Sequence, residues 1–401
     1  MSRTIKVKTV SEEILIQSSD ASTLQEVVRA KRLPPSLFQG YLRNGDTVSP
    51  VPLTTIISTI PENQEIELQC IRNTELKDVI PQRISYRHVK NPVTAISDFS
   101  LGEGRCLEII QEFDSDSARR VVKEKIAEFM KKESRSGRAV VGISGGGDSN
   151  TLAQGLRDYI SKDSLKQSLF FTIIFDPIWP SSAAERASTL CQTYGLEHEI
   201  INEDDLKDLL HMKKPIREFY NAYCELFGDN TNHFFGTYLI SLVARNLCRK
   251  LEIQEYILGF NREDLLADLL FSLINGQKPL PFPVREFGDI RLLMPLWDIS
   301  KSLLDSCYPK YSLSNYKERE EDQSTYQRNI MYYLAHGVED VYPNLGLSLM
   351  QGVQKIFKGD WSTLMHREES DLYISEYADP AKVKEVEAFL MEYFGSRKSE
   401  E

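Results

Sequence analysis

The sequence predicts an α/β protein, with a doubly wound parallel sheet preceded by a small α+β domain and followed by C-terminal helices. Three observations predict it. From residue 138 onward, short apolar runs alternate with helical patterns. The run Val140-Val141-Gly142-Ile143 enters the turn Ser144-Gly145-Gly146-Gly147-Asp148-Ser149, and Leu152, Leu156, Tyr159 and Ile160 follow at helical spacing. Before residue 75 the pattern is that of strands around one helix.

In chain order, Ile5–Val10 and Ile14–Ile16 are two strand-like runs separated by a polar turn. Ser22 to Gln25 has capping-box spacing, and Leu24, Val27 and Val28 give the next helix an apolar face. Asn44-Gly45 signals a hairpin, and Ile66, Leu68 and Cys70 alternate with Glu67 and Gln69 as in a half-buried strand. This ββαβ…β order resembles in topology the β-grasp fold of ubiquitin-like and sulfur-carrier domains. No Gly-Gly closes the domain, so a docking or substrate-presenting module is expected rather than a carrier.

Residues 76–135 read as a linker and a helix, with Val121, Val122, Ile126, Phe129 and Met130 apolar between 115 and 134. Arg119, Arg120, Lys123, Lys125, Lys131, Lys132, Arg135 and Arg138 crowd this stretch, opposed only by Glu124, Glu128 and Glu133. A solvated helix face and an RNA-phosphate contact are the two readings. Leu169–Phe175 is a continuous apolar strand, as in a sheet covered on both faces. A helix over 182–194, a strand at 199–201, a helix over 235–250 and a strand at 256–259 continue the alternation. The nucleotide-type domain is placed at 136–330 and a C-terminal helical segment at 331–401. There Asp379-Pro380 caps a helix whose apolar face is Val383, Val386, Leu390 and Phe394.

Composition narrows the class. The chain has 401 residues, 41% hydrophobic and 27% charged, which suits a globular protein of two or three domains. No apolar run approaches the ~20 residues that span a bilayer. The N-terminus lacks the apolar core of a secretory signal, so a cytoplasmic protein with no membrane partner is expected. A net charge of −11 disfavours a protein that blankets nucleic acid. Six cysteines, at 70, 106, 191, 224, 248 and 307, form no CxxC pair and read as reduced thiols.

The glycine turn carries the chemistry. Strand, glycine turn and helix make an anion site, because glycines let backbone N–H groups curl around phosphate oxygens and the helix start adds positive potential. The lysine-bearing P-loop signature is absent, which argues against cleavage between β- and γ-phosphates. The turn resembles the SGGxDS pyrophosphate loop (PP-loop) of the N-type ATP pyrophosphatases, whose fold is HUP-like and which cut ATP between α and β. Leu258-Gly259-Phe260-Asn261-Arg262-Glu263-Asp264 resembles the GHxxDD segment of the tRNA-modifying members. Pro295–Lys301 is similar to the PLLxISR segment of tRNA(Ile)-lysidine synthetase. Tyr326–Ile330 with Pro343-Asn344-Leu345 is similar to that family's RRNxIR…PxL. The blocks keep family order over about half the chain.

The resemblance implies that Ser144, Gly145, Gly146, Gly147 and Ser149 cradle pyrophosphate, with Gly259 and Asn261 also on the nucleotide. It implies Asp148 and Asp264 as catalytic and magnesium-side carboxylates. Lys301, in place of the family's arginine, would balance phosphate charge, and Arg328 would do likewise or touch the acceptor. ATP and Mg²⁺ are the implied cofactors. Without cysteine pairs no iron–sulfur cluster is expected. Phe260 and Glu263 depart from GHxxDD. His198, His211, His233 and His336 lie outside the blocks and read as structural or surface. The implied function is adenylation of an acceptor with pyrophosphate release, then displacement of AMP. A tRNA base, bound through residues 119–138, is the first acceptor. The alternatives are a small molecule or protein recruited by the β-grasp module, or a nucleotide sensor with an impaired site.

Overall fold

The computed structural model describes residues 2–8, 13–19, 21–30, 35, 38–70, 95–101, 107–113, 115–160, 164, 166–227, 232–312, 326–341, 345–367 and 371–394. Side chains are described for all of these but 2, 95–101, 107–113, 232–233, 326–329 and 339–341. The chain divides into two compact units: Met1–His88 with Asp98–Gln111 and Gly337–Asn344, and Val89–Ser97 with Glu112–His336 and Leu345–Glu401.

The first unit holds a five-stranded sheet. β1 (Ser2–Lys8) and β2 (Glu13–Ser19) form an antiparallel hairpin, and α1 (Leu24–Ala30) follows. β3 (Phe38–Asn44), β4 (Thr47–Val51) and β5 (Glu65–Cys70) complete the order β2-β1-β5-β3-β4, with β5 parallel to β1. Alternate residues Ile5, Val7, Ile66 and Leu68 face Leu24, Val27 and Val28 of α1 in one core. The helix cap is Thr23 rather than Ser22. Thr23 Oγ1 accepts from Glu26 N at 3.2 Å, and Glu26 Oε2 accepts from Thr23 N at 2.7 Å. The β3–β4 hairpin turns at Gly45, whose φ of 57° a side chain would resist.

β6 (Ala95–Leu101) and β7 (Leu107–Phe113) pair with each other, so the span expected to be only linker and helix also contains strands. α2 (Ser115–Glu133) buries Ala118, Val122, Ile126, Phe129 and Met130.

In the second unit β8 (Val140–Gly142), α3 (Gly147–Tyr159), β9 (Leu169–Ile173), α4 (Ser181–Tyr194) and β10 (His198–Ile201) follow in turn. Next come α5 (Glu203–Leu209), α6 (Ile216–Phe227), α7 (Asn232–Lys250), β11 (Glu255–Ile257) and α8 (Arg262–Ile274). β12 (Val284–Phe287) and β13 (Ile290–Leu293) close a six-stranded sheet of order β10-β9-β8-β11-β13-β12. Every neighbour in it is parallel except β12 against β13. This is the predicted doubly wound sheet, with one antiparallel edge added by the β12–β13 hairpin. β8, β9 and β11 are buried along their whole length, because helices cover both faces. Strand order reverses between β8 and β11, and the carboxyl ends at such a reversal are where doubly wound sheets place their ligands. β9 stops at Ile173, two residues short of the apolar run, because Phe175 turns away to bridge Trp179.

α9 (Lys301–Cys307), α10 (Tyr326–Val341), α11 (Leu345–Ile356) and α12 (Pro380–Tyr393) follow. The C-terminal segment, expected to be helical, carries these helices and also a hairpin, β14 (Leu364–Arg367) with β15 (Leu372–Ser375). Asp371, at φ 49° and almost fully buried, accepts hydrogen bonds from Arg245 and Arg249 of α7, which fixes the turn into β15. No helix among the described residues is long and apolar enough to cross a membrane.

Candidate functional site

The two strand ends at the reversal point carry the two segments that the sequence singles out. β8 runs into Ile143 and the glycine turn, and β11 runs into Leu258–Asn261. The turn is held from below. Ile143 N donates to Phe171 O at 3.0 Å, and Thr172 Oγ1 donates to Ile143 O at 2.8 Å. The Thr172 proton being used there, His198 Nε2, 3.0 Å away, must carry its own proton toward Thr172. Burial pushes the His198 imidazole below its usual pKa, which keeps it neutral. This histidine, expected to be structural or surface, buttresses the strand end beneath the turn.

Gly145 takes φ 70°, and a methyl there would lie 2.6 Å from Ala187 N and 2.7 Å from Ala183 O. Only glycine serves at a left-handed position packed on another helix's backbone. Gly146 then starts α3 as a cap without a side chain, so the first-turn N–H groups have no side-chain cap. Ser149 Oγ accepts from Ser144 N at 2.8 Å and lies 3.1 Å from Ser144 Oγ, closing the turn on itself. The result is a ring of backbone N–H groups and two hydroxyls at a helix start.

Asn261 caps α8 by accepting from Asp264 N at 3.0 Å, while Asp264 Oδ2 accepts from Asn261 N at 3.0 Å. Asn261 Nδ2 also reaches Asp148 Oδ2 at 3.5 Å, tying the two loops. Lys301 Nζ lies 2.7 Å from Asp148 Oδ1 and 2.9 Å from Asp305 Oδ1. Burial works against this ammonium, but the two carboxylates more than reverse it and hold its pKa above the usual lysine value. Burial pushes the Asp148 carboxyl up, and Lys301 opposes that shift.

Ser144–Gly147, Asp148, Ser149, Asn261, Asp264 and Lys301 therefore converge, although 153 residues separate Asp148 from Lys301. A methyl on Gly259 would make ordinary 3.7 Å contacts with Leu152 and Leu296, so nothing there requires glycine. Arg328 lies on α10 with its side chain outside the described residues, as do Pro343 and Asn344 altogether. Glu263 departs from the resemblance for a structural reason. Its Oε2 accepts from Lys301 N at 2.7 Å and its Oε1 lies 3.2 Å from Arg262 Nε, so it joins the starts of α8 and α9 while buried. Asp305 and Tyr332, whose hydroxyl donates to Asp264 Oδ1 at 2.6 Å, were not foreseen. Asp305 stands four residues after Lys301 on a helix, a spacing that signals such a pair.

A magnesium ion fits this arrangement poorly. Both Asp264 oxygens are taken, by Asn261 N and by Tyr332, and Asp148 is already paired with Lys301. Among the described residues no group of three or more His, Cys, Asp or Glu could hold a metal.

No family model matches the chain, and no curated protein does. Among solved structures, the chain is similar to a U34-tRNA thiolase, NcsA, from Methanococcus maripaludis with its [4Fe-4S] cluster. That match has 15% identity and a TM-score of 0.44, and covers 65% of this chain and 85% of that one. An NH3-dependent NAD synthetase from Campylobacter jejuni matches at 19% identity and TM-score 0.34, covering 63% and 100%. An NMN synthetase from Francisella tularensis matches at 13% and 0.34, covering 60% and 96%. The first of these overturns one expectation. A neighbour of this chain carries an iron–sulfur cluster, so excluding a cluster from CxxC spacing alone does not stand, because folding can gather distant thiols. The described cysteines, Cys70, Cys191, Cys224, Cys248 and Cys307, form no disulfide, and burial pushes the thiols of Cys191, Cys248 and Cys307 up to about 12. Cys106 lies outside the described residues.

Proposed function

We propose that the chain is an ATP pyrophosphatase of the PP-loop kind, which adenylates an acceptor and releases pyrophosphate. One observation carries this reading. A glycine turn at the switch point of a doubly wound sheet opens an uncapped helix, with a lysine ammonium on the adjoining carboxylate. The β- and γ-phosphates would rest on Ser144–Ser149, where N–H groups stabilise the charge that gathers as the α–β bond breaks. An acceptor oxygen attacks the α-phosphorus. The bond from that phosphorus to the bridging oxygen breaks, and both electrons leave with pyrophosphate. A nitrogen or sulfur nucleophile then displaces AMP. Lys301 offsets the phosphate charge, and Asp148 and Asp305 hold it in place.

A tRNA base is the acceptor we propose, with Arg120 and Lys131, exposed on α2, meeting its phosphates. The N-terminal unit, whose strand order and helix α1 support a β-grasp module, would present the acceptor or dock its carrier. A small-molecule acceptor is the second reading, favoured by how α2 spends its other cations. Lys123 pairs with Asp158 and Lys125 with Asp298, both at 2.7 Å, while Arg119 donates to Cys307 O at 2.6 Å.

The test is product analysis with labelled ATP, with and without bulk tRNA. AMP and pyrophosphate are expected, rising with tRNA. ADP and phosphate alone would refute α–β cleavage. Pyrophosphate release indifferent to tRNA would favour the small-molecule acceptor, and nucleotide binding without any turnover a sensor.

A further inference from the structure

Ser312 carries a hydroxyl that the site described above does not use. It stands eleven positions beyond Lys301, where the chain is again helical after α9. The residue is only 5% exposed, and among the described residues its Oγ has no hydrogen-bond partner. Buried hydroxyls nearly always find a partner, so an orphan one asks for an explanation.

The hydroxyl is aimed at the start of α3. A methyl placed on Gly147, the first residue of that helix, would overlap Ser312 Oγ and lie 3.3 Å from Ser312 Cβ. The third glycine of the turn is thus needed for Ser312 to approach. The backbone that brings it there is fixed. Ser312 N donates to Tyr308 O at 3.1 Å, and the Tyr308 hydroxyl lies 3.1 Å from that of Tyr194, which donates to Asn150 of α3 at 2.8 Å. Ser312 is therefore anchored, through Tyr308, to the helix whose start it covers.

Two independent observations meet at one place. α3 is a thirteen-residue helix whose start has no side-chain cap, and an unpartnered buried hydroxyl faces that start. We propose that Ser312 is a ligand of the pyrophosphate group on the glycine turn, donating its O–H to a phosphate oxygen beside the first-turn N–H groups. This rests on the ATP pyrophosphatase reading and adds a residue to it that the resemblance does not supply. A serine suits the position because it donates without adding charge, and its small side chain fits over a glycine. The oxygen is closed to water here, so contact with a phosphate requires the hydroxyl to rotate off Gly147, a turn about one single bond.

The experiment titrates inorganic pyrophosphate, and separately adenosine, into the full chain and into Ser312→Ala, with calorimetric readout and a melting curve for each protein. The wild type is expected to bind both. In Ser312→Ala, pyrophosphate affinity should fall about tenfold or more, the size of one hydrogen bond to a charged group. Adenosine affinity should not change, and the melting temperature should hold or rise because the orphan hydroxyl is gone. Unchanged pyrophosphate affinity in the variant overturns the role of Ser312 and leaves the pyrophosphate-loop reading standing. Loss of both affinities with a lowered melting temperature shows a structural serine and also overturns it. No pyrophosphate binding by the wild type at millimolar concentration overturns the loop reading and this proposal together.

Discussion

Lys301→Met tests the centre of the proposed site most directly. The ammonium lies 2.7 Å from Asp148 Oδ1 and 2.9 Å from Asp305 Oδ1, and the three side chains are 16%, 23% and 28% exposed. Removing one partner of a fully buried pair costs about 3–5 kcal/mol, and an exposed pair is worth about 0–1 kcal/mol. Exposure near one fifth places this loss between them, at about 2 kcal/mol, a factor of roughly 30 in the folding equilibrium. Methionine keeps the apolar stem, so the change reports charge rather than packing. A cycle of Lys301→Met, Asp148→Asn and the double variant, followed by urea unfolding at pH 7, should give a coupling of about 1–2 kcal/mol. The pH dependence follows from the sign of the Asp148 shift. Burial raises that carboxyl, and without Lys301 nothing near it opposes the shift as strongly. A carboxyl with a raised native pKa binds more protons folded than unfolded, so its contribution to stability falls as pH rises through that pKa. The deficit of Lys301→Met relative to wild type should therefore shrink from pH 7 to pH 5. AMP formation by the variant should fall about 10²–10³-fold, the usual loss for one preorganised charge partner. A variant as stable as wild type, with additive effects in the cycle, would refute the argument.

Three further outcomes are expected. Asp148→Asn should lose most turnover, read as pyrophosphate release, and keep its far-UV circular dichroism, because Lys301 retains Asp305; near-wild-type turnover would remove Asp148 from the chemistry. Gly145→Ala should destabilise the chain by at least about 1–2 kcal/mol in chemical unfolding, since φ 70° and backbone atoms 2.6–2.7 Å from the new methyl both oppose it, and full stability would place the turn differently. His198→Gln should flatten the acid side of the stability curve. A histidine with a lowered native pKa binds fewer protons folded than unfolded, so the wild type loses stability as pH falls below about 6.5. Identical slopes for the two proteins between pH 7 and 5 would show that His198 does not titrate in this way.

What the sequence determined by itself is local. The strand, glycine turn and helix at 140–159 follow from β-branched residues, a left-handed glycine and apolar spacing, all within twenty residues. The Asp379-Pro380 start of α12 is legible for the same reason, because a cap is a contact between near neighbours. The alternation of elements implied a doubly wound sheet, since parallel strands need long crossovers. The tertiary structure alone decided which distant groups meet. No local signal brings Lys301 to Asp148, turns Glu263 into a brace for Lys301 N, or lays Ser312 over Gly147. The β12–β13 and β14–β15 hairpins were missed because their four-residue strands are short, and the second is fixed by an aspartate held from α7. Backbone preference acts over a few residues, whereas these meetings depend on which faces the chain buries together, a choice made by the whole sheet and its helices at once.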